Sequence, residues 1–326
     1  MATEPTAALI DGIRAGDRRA LARAITLVES TRPDHRDEAV ELLDAVLPET
    51  GGSVRIGISG PPGVGKSTFI EAFGLHLVAQ GRRVAVLAVD PSSSRTGGSI
   101  LGDKTRMEEL GRHPGAFIRP TPGGGHLGGV ARRTREAMLL CEAFGFDVVI
   151  VETIGVGQSE IAVADMVDLF ILLVSPGGGD ELQGIKRGIM ELADLVVVNK
   201  ADGDLAAAAG RTAGDYANAL HLVRPRWRAW SPQAVQCSAL THSGIDAVWS
   251  TIGQFRAAVE TDGELVEHRA HQATAWMWSE VRDTLVDGLR LDERVRELLP
   301  LVEAEVAAGT TSPTAAARRL LDAFRS

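Results

Sequence analysis

Cysteine is nearly missing from this chain: two residues, Cys141 and Cys237, among 326. Both lie in apolar stretches and read as buried thiols. A disulfide framework is therefore excluded, and a reducing, cytoplasmic location is expected. Aromatic residues are also sparse, at 4%. No apolar run approaches the ~20 residues that span a bilayer, so no membrane segment is expected. The first residues lack a basic region followed by an apolar core, and no signal peptide is read there. Basic residues do not dominate: the net charge is −9 and no long basic run occurs, which argues against nucleic acid as a partner. The eight histidines are scattered. Without a His-x₃-His or Cys-x₂-Cys pair, nothing supports a metal-cargo site; His113, His126, His242 and His268 read as surface or loop residues.

What is present is a hydrophobic content of 44%, enough for a sizeable core, and a set of glycine-rich turns. The most informative is Gly60-Pro61-Pro62-Gly63-Val64-Gly65-Lys66-Ser67-Thr68. Val54 to Ser59 reads as a buried strand before it, and Ser67 to Gln80 as an amphipathic helix after it. A phosphate-binding P-loop requires that context, because backbone N–H groups and the helix N-terminus form the anion cradle. The glycines allow close approach to phosphate oxygens. Lys66 supplies a positive charge to the β- and γ-phosphates, and Ser67 a hydroxyl for Mg²⁺.

A second signal is Asn199-Lys200-Ala201-Asp202, at the end of the apolar run Leu195 to Val198. In an open α/β sheet such a segment emerges beside the ligand. The Asp202 carboxylate can accept from guanine N1–H and N2–H₂, donors that adenine does not offer at that edge. Ser238-Ala239-Leu240, after a last strand, places backbone near guanine O6. GTP or GDP is therefore the expected nucleotide. Two further carboxylates, Asp90 and Glu152, follow predicted strands and join Ser67 as candidate Mg²⁺ ligands. Gly155 would give its N–H to the γ-phosphate. Asp103 and Arg106 share one face of a turn: an approach to Mg²⁺ and to the transferred phosphoryl, or a surface ion pair, fits that spacing equally. Gln158, not a residue adjoining Gly155, is the nearest glutamine, so slow intrinsic hydrolysis stimulated by a partner is expected.

From Gly51-Gly52-Ser53 to about Val259, strands and helices alternate. This predicts an α/β fold: a P-loop NTPase with a doubly wound, mostly parallel sheet. Residues 1–50 read as an N-terminal helical extension, with one helix over Ala7 to Glu29 and another over His35 to Leu47. Residues 51–260 read as the nucleotide-binding domain. Residues 261–326 read as a C-terminal helical arm. Trp278, Val281, Leu285 and Leu289 form a stripe there that serves either as core or as a dimer surface.

These motifs resemble the MeaB/ArgK family of GTPases, chaperones of methylmalonyl-CoA mutase. The resemblance is carried by Gly57 to Thr68, Val89 to Ser94, Gly98 to Met107, Gly125 to Gly129, Val151 to Glu160 and Val198 to Asp204. It covers roughly residues 50 to 250. Asp-Lys-Thr-Arg-Met and Glu-Thr-x-Gly-x-Gly-Gln-Ser would not occur in a generic P-loop protein. Membership implies GTP hydrolysis, with Lys66, Asp103, Arg106 and Glu152 at the reaction centre. Many GTPases of the wider group that includes the signal-recognition and metal-insertion GTPases act as dimers, and a homodimer is expected here. Membership also implies a complex with an adenosylcobalamin-dependent mutase whose cofactor loading it gates, without binding cobalamin itself. The family's mobile loop corresponds to Ser175 to Lys186. A transport-linked P-loop kinase, a nickel-type metallochaperone GTPase and a non-hydrolysing scaffold are the alternatives.

Overall fold

The computed structural model describes residues 4–30, 32–89, 107–121, 127–153, 160–177 and 187–325. Seven strands form one sheet: β1 (Val54–Ser59), β2 (Val84–Val89), β3 (Ala116–Thr121), β4 (Val148–Thr153), β5 (Leu169–Val174), β6 (Leu195–Val198) and β7 (Gln233–Gln236). Their order is β3-β2-β4-β1-β5-β6-β7, and every pairing is parallel. The expected doubly wound α/β architecture is what forms, with an all-parallel sheet. β1, β2, β4, β5 and β6 are buried along their whole length, as mainly apolar central strands covered on both faces require, with Arg55 of β1 and Glu152 of β4 buried among them. The chain leaving β1 travels to one side of the sheet and the chain leaving β4 to the other. The carboxyl ends of these two adjacent strands thus border the crevice where ligands bind in open α/β sheets.

The N-terminal region opens with α1 (Glu4–Arg14), α2 (Arg18–Glu29) and α3 (Pro33–Val46). The single helix expected over Ala7 to Glu29 is in fact two. The chain turns at Ala15-Gly16, and the Asp17 side chain accepts from Arg19 N–H at 2.8 Å to cap the second helix. Arg18 donates to the carbonyls of Pro114 and Ala116, tying the start of α2 to the start of β3.

Within the sheet region run α4 (Lys66–Ala79), α5 (Glu108–Arg112), α6 (Leu127–Ala143), α7 (Glu160–Ala164), α8 (Arg187–Met190), α9 (Ala206–Leu220) and α10 (Ile245–Thr261). On one face Ile56 and Ile58 of β1 pack with Phe69, Phe73 and Leu77 of α4, and with Ile252 and Phe255 of α10. A polar network lies at the opposite end of the sheet from the crevice. Buried Arg55 gives two hydrogen bonds to Glu142, at 2.8 and 2.9 Å, and Ser53 a third at 2.6 Å. Burial pushes the Glu142 pKa up, but the bonds and charge of Arg55, with Ser53 and Gly51 N–H, outweigh it and hold the carboxyl below its ordinary value.

The C-terminal helices are α11 (Glu264–Leu291), α12 (Glu293–Ala307) and α13 (Pro313–Arg325). The chain divides into two compact units, Met1–Gln272 and Ala273–Ser326. The first two turns of α11 belong to the first unit. There Arg269 pairs with Asp168 at 2.7 Å, and Gln272 donates to the Val167 carbonyl. His268, expected at the surface, instead lies against Trp227, its ring 4.6 Å away, and reaches the Val167 carbonyl. In the second unit Trp278, Val281 and Leu285 of the expected stripe are exposed and Leu289 is half-buried. Among the described residues, no helix is long and apolar enough to cross a membrane.

Candidate functional site

β1 ends at Ser59 and α4 begins at Lys66; the turn between them is the glycine-rich segment. Two glycines there are obligatory. A Cβ on Gly60 would lie 2.3 Å from the Leu173 carbonyl oxygen, because the turn starts pressed against β5. Gly65 has φ of 91°, and a Cβ there would also meet the Asn199 amide nitrogen at 2.9 Å. Gly65 is the N-cap of α4, whose axis therefore starts at the turn. A cleft of about 590 Å³ opens beside it, lined by Pro62, Gly63, Gly65, Lys66, Ser67 and Thr68 on one side. Ala88, Val89, Glu152 and Thr153, from the ends of β2 and β4, line the other.

The Lys66 ammonium is folded onto the loop, donating to the Gly60 carbonyl at 2.7 Å and the Pro61 carbonyl at 3.3 Å. Burial lowers its pKa, opposed by the negative charges of Glu152 and Glu160. Glu152 is buried at the end of β4, in register with Ile58 of β1 and Ala88 of β2. Its neighbour Thr153 donates a 2.8 Å hydrogen bond to the Ser59 hydroxyl. The cleft thus combines a cation and a helix N-terminus suited to phosphate with hard oxygen donors, the Ser67 hydroxyl and the Glu152 carboxylate, suited to Mg²⁺. Asp90, Asp103, Arg106 and Gly155 lie outside the described residues, as does 178–186 of the expected loop over Ser175 to Lys186.

The second motif meets the first through Asn199. Its buried side chain donates to the Val64 carbonyl at 3.0 Å and accepts from the Ala239 N–H at 3.0 Å. A carbonyl oxygen can only accept and a peptide N–H only donate, so the amide orientation is fixed. Lys200, at φ 61°, extends to the Gly63 carbonyl at 2.6 Å. Asp202 accepts from the Ser238 hydroxyl at 2.5 Å, and that oxygen also receives Thr241 N–H. Ala201 N–H closes on the Cys237 carbonyl at 3.0 Å. Ser238 and Ala239 are buried, whereas Leu240 is exposed. Val64, Asn199, Asp202 and Ser238 to Leu240 are thereby brought to one crevice, although 135 residues separate Val64 from Asn199.

Sequence reading missed the Ser59–Thr153 hydroxyl pair and the Asn199 bridge, whose partners are remote in sequence. Arg55 did carry a signal: an arginine inside a buried apolar strand must find a counter-charge. Among the described residues, no group of three or more His, Cys, Asp or Glu side chains could hold a metal ion.

Strand order, a glycine-rich turn into a helix, and a carboxylate across the cleft define a P-loop nucleoside triphosphatase of the doubly wound class. The family model described as Methylmalonyl Co-A mutase-associated GTPase MeaB matches residues 21–294, and the chain belongs to that family. It is a GTPase. A Caulobacter vibrioides putative GTPase is 59% identical over 310 residues, covering 95% of each chain. The Mus musculus methylmalonic aciduria type A homolog, mitochondrial, is 50% identical across 98% of this chain and 79% of its own length. A crystal structure of LAO/AO transport system kinase matches all of both chains at 41% identity and a TM-score of 0.77.

Proposed function

We propose that this GTPase is a chaperone of an adenosylcobalamin-dependent acyl-CoA mutase, methylmalonyl-CoA mutase. It would gate cofactor loading and protect the mutase from inactivation. The family's description supports the partner. The observation that carries the nucleotide chemistry is the Val64–Asn199–Ala239 bridge, which makes the phosphate loop and the base loop one unit.

In this reading Gly60, Pro61, Pro62, Gly63, Val64, Gly65 and Thr68 wrap the phosphates with backbone groups. Lys66 exchanges its loop carbonyls for β- and γ-phosphate oxygens. Ser67 and Glu152 would hold Mg²⁺, together with Asp90 and Asp103. When bound, Mg²⁺ neutralises charge building on the β- and γ-oxygens. Arg106 meets the transferred phosphoryl, and Gly155 N–H senses the γ-phosphate. Asp202, oriented by Ser238, accepts from guanine N1–H and N2–H₂. Asn199 and Lys200 brace the loop that carries it, and backbone at Ser238, Ala239 and Leu240 meets O6.

The exposed stripe of Trp278, Val281 and Leu285 supports a homodimer; a monomeric mass by light scattering at micromolar concentration would refute it. Two buried thiols support a reducing cytoplasmic location. The deciding assay is inorganic phosphate release from GTP with and without the mutase. Slow release stimulated by the mutase supports the proposal. Phosphate transfer to a metabolite would instead favour the kinase reading suggested by the name of the solved relative. An absence of release under either condition would leave only a nucleotide-dependent scaffold.

A further inference from the structure

Ser59 and Thr153 are the last residues of β1 and β4, and both side chains are buried. The two strands are neighbours, with Ile58 opposite Glu152, so the hydroxyl pair forms the final crosslink of that ladder. Ser59 immediately precedes Gly60, the root of the phosphate loop. Thr153 immediately follows Glu152, and both line the cleft. Alternation along β4 puts Ile150 in the core shared with α4, and so sends Glu152 to the α4 side and Thr153 to the other. A bond made by Thr153 on the far face therefore fixes how the strand end is rotated, and with it the aim of the Glu152 carboxylate.

We propose that Thr153 is a positioning residue. Its hydroxyl bond to Ser59 locks the Glu152-bearing end of β4 to the root of the phosphate loop, holding Glu152 at the height and rotation at which it and Ser67 serve one Mg²⁺·nucleotide. The inference rests on the assignment of Glu152 to Mg²⁺, and both can be tested together. The bond is well suited to the task because it is short, dry and made between two β-strand ends already in register. Loss of such a restraint weakens the metal-dependent part of nucleotide binding and leaves the metal-independent part alone.

The experiment is calorimetric titration of the full chain with GDP and with a non-hydrolysable GTP analogue, each in EDTA and over a Mg²⁺ series. Four variants are compared: Thr153→Val, Thr153→Ser, Ser59→Ala, and Ser59→Ala with Thr153→Val. For Thr153→Val and Ser59→Ala, the gain in analogue affinity on adding Mg²⁺ should shrink about five-fold, the worth of one net hydrogen bond. Affinities in EDTA should stay within about two-fold. Thr153→Ser keeps the hydroxyl and should restore the gain.

The double variant separates positioning from mere stability. Replacing both partners of a buried hydrogen bond by apolar groups is far less destabilising than orphaning one. Its melting temperature should therefore recover while the Mg²⁺-dependent gain stays reduced. Recovery of that gain along with the melting temperature would overturn the proposal, as would an unchanged gain in Thr153→Val. Glu152→Gln is the control for the underlying assignment. If it leaves the Mg²⁺ gain intact, that assignment fails; if it removes the gain and Thr153→Val does not, only the role of Thr153 fails.

Discussion

Replacing Asn199 with alanine would remove the buried side chain that, beside the exposed Lys200–Gly63 contact, joins the phosphate loop to the base loop. Its Nδ2 donates to the Val64 carbonyl and its Oδ1 accepts from Ala239 N–H, both at 3.0 Å. Val64 is 1% exposed and Ala239 5%, so water does not readily replace the lost partners. Each orphaned buried group costs about 1–3 kcal/mol, and two together roughly 2–6 kcal/mol. Urea denaturation of nucleotide-free protein at pH 7.5 measures this directly. Guanine-nucleotide affinity should fall at least ~10-fold as well, because Val64 lies in the phosphate loop and Ala239 in the loop proposed to meet O6. A destabilisation under about 0.5 kcal/mol, with GDP affinity unchanged within two-fold, would refute the bridging argument.

Two further outcomes concern the scaffold. Arg55→Met leaves Glu142 buried with Ser53 and Gly51 as hydrogen-bond donors and the Arg269 charge nearby, and should destabilise the protein by roughly 3 kcal/mol at pH 7.5. The lowered Glu142 pKa of the parent contributes stability that is present above about 4.5 and lost as pH falls through the folded value, so denaturation midpoints of parent and variant should converge on acidification. Asp194 behaves oppositely: burial, against the pull of Arg226, Phe170 N–H and Trp227, pushes its pKa from 3.8 to about 6. A raised carboxyl favours folding most below about 4 and loses that contribution as pH rises through 6. Relative to Asp194→Asn, the parent should therefore lose about 2 kcal/mol between pH 4 and pH 7, read from urea curves by tryptophan fluorescence.

Much of the fold is legible in the chain itself. β1 and β2 lie where the apolar runs Val54 to Ser59 and Val84 to Val89 put them, because buried parallel strands need no alternation and are bounded by turns. β4 runs two residues beyond its apolar stretch, through Glu152 and Thr153, since ladder pairing to β2 continues where hydrophobicity stops. The break at Ala15-Gly16 escaped a reading based on apolar spacing, because the stripe continues across it with Ile13 and Leu21 both buried. Phosphate and base motifs are local in sequence and therefore visible. What joins them is not: Asn199 to Val64, Lys200 to Gly63 and Thr153 to Ser59 are contacts made by topology between segments 94 to 137 residues apart. The C-terminal stripe shows the converse limit. Periodicity reports that one helix face is apolar, while what covers that face depends on the partners available to it.

The most direct test of the account is paired calorimetry of GTP and ATP analogues against the parent and Asp202→Asn. A carboxylate held by Ser238 in the same crevice as the phosphate loop predicts a guanine preference on the order of 10⁴-fold in the parent, largely lost in the variant while phosphate-dependent binding persists. Equal affinities for the two parent complexes, or a preference untouched by Asp202→Asn, would contradict it.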